Sequence, residues 1–200
     1  MLDSKTEIMR VAIDLFAKSG YHVTSIRDIA KHAHVNSSMV SYYYKSKENL
    51  YNEIFRNLYI DLDRLCKSKT ETENIENDFS VFITELLEFC LSNSNRLLIL
   101  MIEQISATND SIIETIENIK NVIYLRFKNL YHLKGNEDSD VMFDWKFVTL
   151  TSHIKSLIIY NSMNTEDNNL SNTMQSIKNI ELSLKILFNT TYSIILKQVK

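Results

Sequence analysis

The chain has 200 residues and 23.4 kDa, with 44% hydrophobic residues, 24% charged residues and a net charge of −3. That is room for one or two domains with a true core and close to ordinary globular usage, which excludes a peptide-sized scaffold and gives no support to disorder or a membrane class. There is no proline and there are two glycines; strand-rich folds lean on both at tight turns, so an all-α chain joined by Asn, Asp and Ser loops is expected.

The longest uncharged apolar run, Leu97 to Ile102, falls far short of the roughly 20 residues that cross a bilayer. No membrane partner is therefore expected. Arg10 and Asp14 interrupt the first apolar stretch, so no secretory signal is read and the expected location is cytoplasmic. Cys66 and Cys90 have neither metal-ligand spacing nor a secretory context, and reduced, packed thiols are the natural reading. Through Lys47 there are seven Lys/Arg against four acids, a balance of +3, so the remaining residues carry −6. A basic end on an acidic body points to an anionic partner for the first part only.

Capping boxes mark helix starts, because a Ser or Thr side chain there satisfies a backbone N–H three residues on. Ser4-Lys5-Thr6-Glu7, Thr70-Glu71-Thr72-Glu73 and Ser111-Ile112-Ile113-Glu114 fit the pattern, and Asn172-Thr173-Met174-Gln175 fits it more loosely. The first box opens a helix with Ile8, Ala12, Leu15 and Phe16 on one face, ending at Ser19-Gly20. Next, Thr24 or Ser25 caps a short helix bearing Ile26, Ile29 and Ala30. His34-Val35-Asn36 breaks it, and Asn36 caps a second short helix to about Tyr43. Ser46 caps a long helix with Leu50, Ile54, Leu58 and Leu62 along one side, ending near Lys67. Further helices are expected at about 71–92, 95–106, 111–132, 140–161 and 172–198. The boundaries give a helix-turn-helix domain at 1–47 and a helical body at 48–200.

The informative segment is GYHVTSIRDIAKHAHVNSSMVSYYYKSKENL, Gly20 to Leu50. A short helix held by Ile26, Ile29, Ala30, Val35 and Val40 leaves Ser37, Ser38, Ser41, Tyr42 and Tyr43 facing outward. Thr24, Ser25, Tyr42, Lys45 and Lys47 are groups able to bond phosphate oxygens. Lys47 also stands in the first turn of a helix, where the macrodipole disfavours a cation unless an anion is near. A plain polar surface is the competing reading of the same residues.

This segment resembles the TetR family of bacterial transcriptional regulators. The resemblance covers about residues 5 to 52 and rests on Leu15-Phe16, Gly20-Tyr21, Thr24-Ser25, Ile29-Ala30, Val35 and Tyr42-Tyr43-Tyr44-Lys45-Ser46-Lys47-Glu48-Asn49-Leu50. It implies that the helix after the turn enters the DNA major groove with Ser37, Ser38, Ser41, Tyr42 and Tyr43, that Lys47 holds a phosphate, and that Tyr44 packs inward. The sequence departs from the family pattern at His34, where Gly is usual, at Ser37 and Ser38, where Lys and Gly are common, and at Ser41, where Tyr is common. His tolerates positive φ better than most residues. With fewer cations on the helix, preference for one DNA sequence must rest on hydroxyls, Met39 and DNA shape.

The resemblance further implies a ligand-responsive repressor that binds operator DNA as a homodimer through the helices near 140–161 and 172–198. The residues agree with that. In the last segment Ile177, Ile180, Leu184, Leu187 and Ile194 form one stripe and Leu182, Ile186 and Leu196 another. Phe143, Phe147, Leu150, Ile154 and Leu157 share a side of the preceding helix, with Trp145 about 200° from Phe143. For an unknown small-molecule effector, Phe82, Phe89, Tyr124, Phe127, Phe147 and His153 are candidate lining residues, each with a plain core role as its alternative.

An enzyme is disfavoured. None of His22, His32, His34, His132 or His153 has a Glu three positions before it, and no G-x-S-x-G, Walker or G-x-G-x-x-G pattern occurs. No cofactor or metal is expected. The remaining alternative is a helical ligand- or partner-binding protein without DNA binding, which the retained Tyr42, Tyr43 and Lys47 disfavour.

Overall fold

The protein is described by a computed structural model, which defines residues 3–67, 75–106, 110–133 and 139–163. Among these residues there are eight helices and no strand, as the composition leads one to expect. They are α1 (Ser4–Ser19), α2 (Ile26–His32), α3 (Ser37–Tyr44), α4 (Lys47–Lys67), α5 (Ile75–Ser92), α6 (Ser94–Ser106), α7 (Asp110–Leu133) and α8 (Asp140–Met163). The Thr70 and Asn172 boxes and the helix expected at 172–198 lie outside the described residues.

Helix α1 starts one residue earlier than its Ser4 box suggests. Asp3 is the N-cap, its carboxylate accepting from the Thr6 N–H at 2.8 Å. A carboxylate is a stronger acceptor than a hydroxyl and sits at the positive end of the helix. Glu7, expected to complete the box, is instead clamped by Arg10, which also reaches Asp14. Ile8, Val11, Ala12 and Phe16 are buried along one side. The helix ends at Gly20, whose φ of 84° and ψ of 159° are open essentially to glycine and whose N–H bonds the Phe16 carbonyl at 2.9 Å.

Two connections then fix α2 and α3 against α1. Ser25, not Thr24, caps α2 in a full capping box with Asp28. The turn runs through His34 at φ 53°, the left-handed geometry expected for a residue in the usual glycine position. Asn36 occupies the N-cap position of α3 without making a side-chain bond. Lys45 closes α3 at φ 65°, and Ser46 caps α4 by accepting the Asn49 N–H at 3.0 Å. Ile29, Val40, Leu50 and Ile54 are essentially fully buried with the α1 face, each contributing on the order of 1.5–3 kcal/mol of hydrophobic stabilisation. Tyr44 joins that core, its hydroxyl donating to the Lys5 carbonyl at 2.7 Å.

The described chain divides into two compact units. The first runs to Arg64 and includes Asn95–Asn121; the second comprises Leu65–Ser94 and the chain from Val122. In the first, α6 is tied to α1 and α4 by Asn95 to Asp14 and Arg96 to Asp61, both at 3.0 Å, and by Tyr51 to Glu103 at 2.7 Å. In the second, α5 packs on α8, and Phe82, Leu86, Leu87, Phe127, Phe143 and Leu150 form the centre. Phe143 is fully buried while Trp145 is 68% exposed, as their angular separation on the helix requires. No described helix is long and apolar enough to cross a membrane.

Candidate nucleic-acid interface

The burial pattern of α3 follows from its sequence. Val40 and Tyr44, four residues apart, face the core, so Ser37, Ser38, Ser41 and Tyr42 are turned to solvent, as is Met39. Tyr42 is 79% exposed, and Tyr43 is half-buried with its ring edge-to-face against Tyr42 at 5.2 Å. A large aromatic left in water adds little to folding, so Tyr42 is available for contacts outside the chain. The Ser41 hydroxyl donates to the Ser37 carbonyl at 3.3 Å, a bond it can exchange for an outside acceptor. Exposed Lys45 stands at the end of this helix, and exposed Arg27 and Lys31 lie one turn apart on α2. These last two were not among the expected contact residues; their i, i+4 spacing was the available signal.

Two other expected residues have inward roles. Thr24 is buried, and its hydroxyl donates to the Gly20 carbonyl at 2.9 Å, so the side chain braces the loop between α1 and α2. Lys47 is half-buried: its ammonium donates to the carbonyls of Tyr21 and Thr24 at 2.9 and 3.0 Å and lies 4.2 Å from the centre of the Tyr21 ring. It thus pins the same loop to the start of α4, with the ring face adding cation–π attraction. Ser25 is exposed, but its hydroxyl donates to Asp28 at 2.5 Å. That bond, together with the Ser25 N–H, holds the Asp28 carboxyl below its usual 3.8.

Behind the loop lies an aromatic network that sequence reading missed. Tyr21 and Tyr51 are 4.4 Å apart centre to centre, and Phe16 and Phe55 meet Tyr51 edge-on. Burial first, then the bond to Glu103, pushes the Tyr51 phenol well above its ordinary range. Burial likewise raises that of Tyr44. Each phenol donates its proton in a hydrogen bond, Tyr51 to Glu103 and Tyr44 to the Lys5 carbonyl.

Of the residues considered for an effector, the second unit brings Tyr124, Phe127 and Phe147 together. Their rings lie 5.1 Å apart for Tyr124–Phe147 and 5.7 Å for Phe127–Phe147. Phe82 is buried on α5 with the Arg126 guanidinium 5.8 Å from its ring centre. Phe89 is half-buried near the end of α5. His153 is on the exposed side of α8, with Nδ1 2.8 Å from the Thr149 carbonyl oxygen, and does not join the aromatic group. The structure also buries three charged residues unsuspected from sequence: Asp78, Glu103, which accepts from the Tyr51 hydroxyl, and Lys146, which donates to the Tyr131 hydroxyl. No metal-binding cluster occurs among the described residues.

The arrangement α1, then α2, a tight turn and an outward-facing α3, is matched at residues 8–54 by the model of bacterial regulatory proteins of the tetR family. This domain belongs to the TetR family. The chain is 38% identical over 69 residues to the HTH-type transcriptional repressor Rv3405c of Mycobacterium tuberculosis, covering 34% of this chain and 37% of that protein. It is 28% identical over 91 residues to the probable HTH-type transcriptional regulator YttP of Bacillus subtilis, covering 44% of each. The chain thus matches less than half the length of these curated relatives. The crystal structure of the MbdR regulator from Azoarcus sp. CIB aligns over 90% of this chain and 96% of its own, with a TM-score of 0.73 at 19% identity. The fold beyond the TetR-family domain is therefore shared as well.

Proposed function

We propose that the protein is a ligand-responsive transcriptional repressor of the cytoplasm, not an enzyme, that binds operator DNA as a two-fold homodimer. Residues 1–47 serve as the DNA-binding domain and 48–200 as the effector-binding and dimerisation body. The observation that carries this reading is α3 itself: a family-matched second helix whose Ser37, Ser38, Met39, Ser41 and Tyr42 all face solvent. Placed in the major groove, they offer hydroxyls to base edges and phosphates, and an apolar Met39 to a thymine methyl. Exposed Arg27, Lys31 and Lys45 flank them and supply sequence-independent attraction to the backbone. Two such helices related by a two-fold axis would read half-sites about 34–36 Å apart.

The effector reading draws on the cluster of Tyr124, Phe127 and Phe147, an apolar surface with one polar tip, since the Tyr124 hydroxyl donates to Asp144 at 2.8 Å. An apolar or amphipathic molecule there would have to bind the DNA-bound form less well, with reciprocal coupling on the order of 1–3 kcal/mol. A gel-shift titration against the DNA upstream of the chain's own gene tests the central claim. Tyr42→Ala should lower affinity about tenfold or more, as one lost base-edge contact implies, with thermal stability unchanged. Unchanged affinity at physiological salt would remove α3 from the groove.

A further inference from the structure

The stretch from Tyr43 to Arg56 carries polar side chains that DNA binding leaves unused. Asn49, Asn52 and Arg56 recur at three- and four-residue spacing along one side of α4, and Ser111 and Thr115 lie one turn apart at the start of α7. Together with Lys45 they line a cavity of about 380 Å³ within the first unit. That is the size of a small-metabolite site.

The charges and hydrogen-bonding groups of this cavity are lopsided. Glu53 also lines it, but its carboxylate is met by Lys5 at 3.2 Å. Lys45 and Arg56 are exposed, and their side chains make no ion pair or hydrogen bond to any described residue. Asn52 has its Oδ1 buried with no donor among the described residues, an arrangement that is destabilising unless something supplies one. The lining of α7 lies in its first two turns, the positive end of a 24-residue helix. Asp110 and Glu114, both exposed, are not among the lining residues.

We propose that this cavity binds a small hydroxylated anion, a phosphate or carboxylate metabolite, with Lys45 and Arg56 on the anionic group and Asn52 accepting from a hydroxyl. Because Tyr43 and Lys45 belong both to the cavity and to the face turned toward DNA, an occupant competes with the operator backbone for the same cation. That consequence rests on the DNA-binding reading above; the binding itself does not.

The test is calorimetric titration of the full chain, without DNA and at fixed ionic strength, with glycerol 3-phosphate and with glycerate as probes. Saturable binding of one probe per chain is expected, and the tighter of the two identifies the anionic group. Arg56→Gln should weaken it at least tenfold and Arg56→Lys should restore most of it. If neither probe saturates in the millimolar range, or if Arg56→Gln binds as the parent does, the proposal is overturned. Where the probe binds and no DNA does, the site stands and the repressor reading falls.

Discussion

Replacing Lys47 by Ala separates a phosphate clamp from a bracket within the domain. The ammonium donates to two carbonyls, at 2.9 and 3.0 Å, and covers the Tyr21 ring at 4.2 Å. Hydrogen bonds from a charged donor contribute about 1.5–3 kcal/mol each, and a partly exposed cation–π contact about 0.5–1 kcal/mol. Because the site is half-buried, water partly replaces the lost donor, so a net loss of roughly 2–4 kcal/mol is expected from these terms. Lys47→Met, which keeps the stem over the ring, should lose somewhat less. Urea denaturation followed by far-UV circular dichroism reads the loss as a shift in midpoint at constant slope. If both variants unfold at the parent midpoint yet lose operator affinity, with the salt slope reduced by about one, Lys47 acts on phosphate directly and the bracket argument is wrong.

Other measurements follow from the same geometry. Asp28 is held below 3.8 by Ser25, so its stabilisation is present above that value and lost as pH falls through the lower folded one. Asp28→Asn should therefore flatten the acid limb of the N-terminal domain's stability curve, and an unaltered limb would count against the capping box as its source. Trp145 is 68% exposed, flanked on its face by exposed Val141 and Val148. If that stripe is the dimer surface, Trp145→Glu should convert a dimer to a monomer by light scattering, whereas a monomeric parent chain would refute it. Burial pushes the Cys90 thiol up to about 12. It should resist alkylation at pH 8 in the native protein and react fully in denaturant; rapid native labelling would contradict its packing.

Short-range chemistry made most of the N-terminal helix-turn-helix domain legible in the sequence. Ser25, Ser46, Gly20 and His34 act through atoms within a few residues, and the spacing of Ile8, Ala12, Phe16 and Val40 specifies which face turns inward before any partner is known, while Tyr44 was placed inward by the family resemblance. The outward set Ser37, Ser38, Ser41 and Tyr42 followed from that spacing, which also put Tyr43 outward, whereas the structure leaves it half-buried. The Ser4 box failed by one residue because Asp3 caps instead, its carboxylate accepting from the Thr6 N–H and its carbonyl from the Glu7 N–H that Ser4 would have capped.

Tertiary structure decided whatever depends on acceptors brought from afar. Thr24 and Lys47 have the same groups as surface phosphate ligands, and only the folded loop between α1 and α2 places the carbonyls of Gly20, Tyr21 and Thr24 within their reach. Tyr51 meets Glu103 across 52 residues, a pairing that no local pattern encodes. On α8 apolar residues occupy opposite sides, so periodicity could not say which side faced the core. Packing settled that Phe143 is buried and that His153 and Trp145 are exposed. Lys146 and Asp78 read as surface charges in one dimension, yet both are buried. Helical propensity and capping are properties of neighbouring residues, whereas burial and charge pairing belong to the assembled core and exist only once the helices meet.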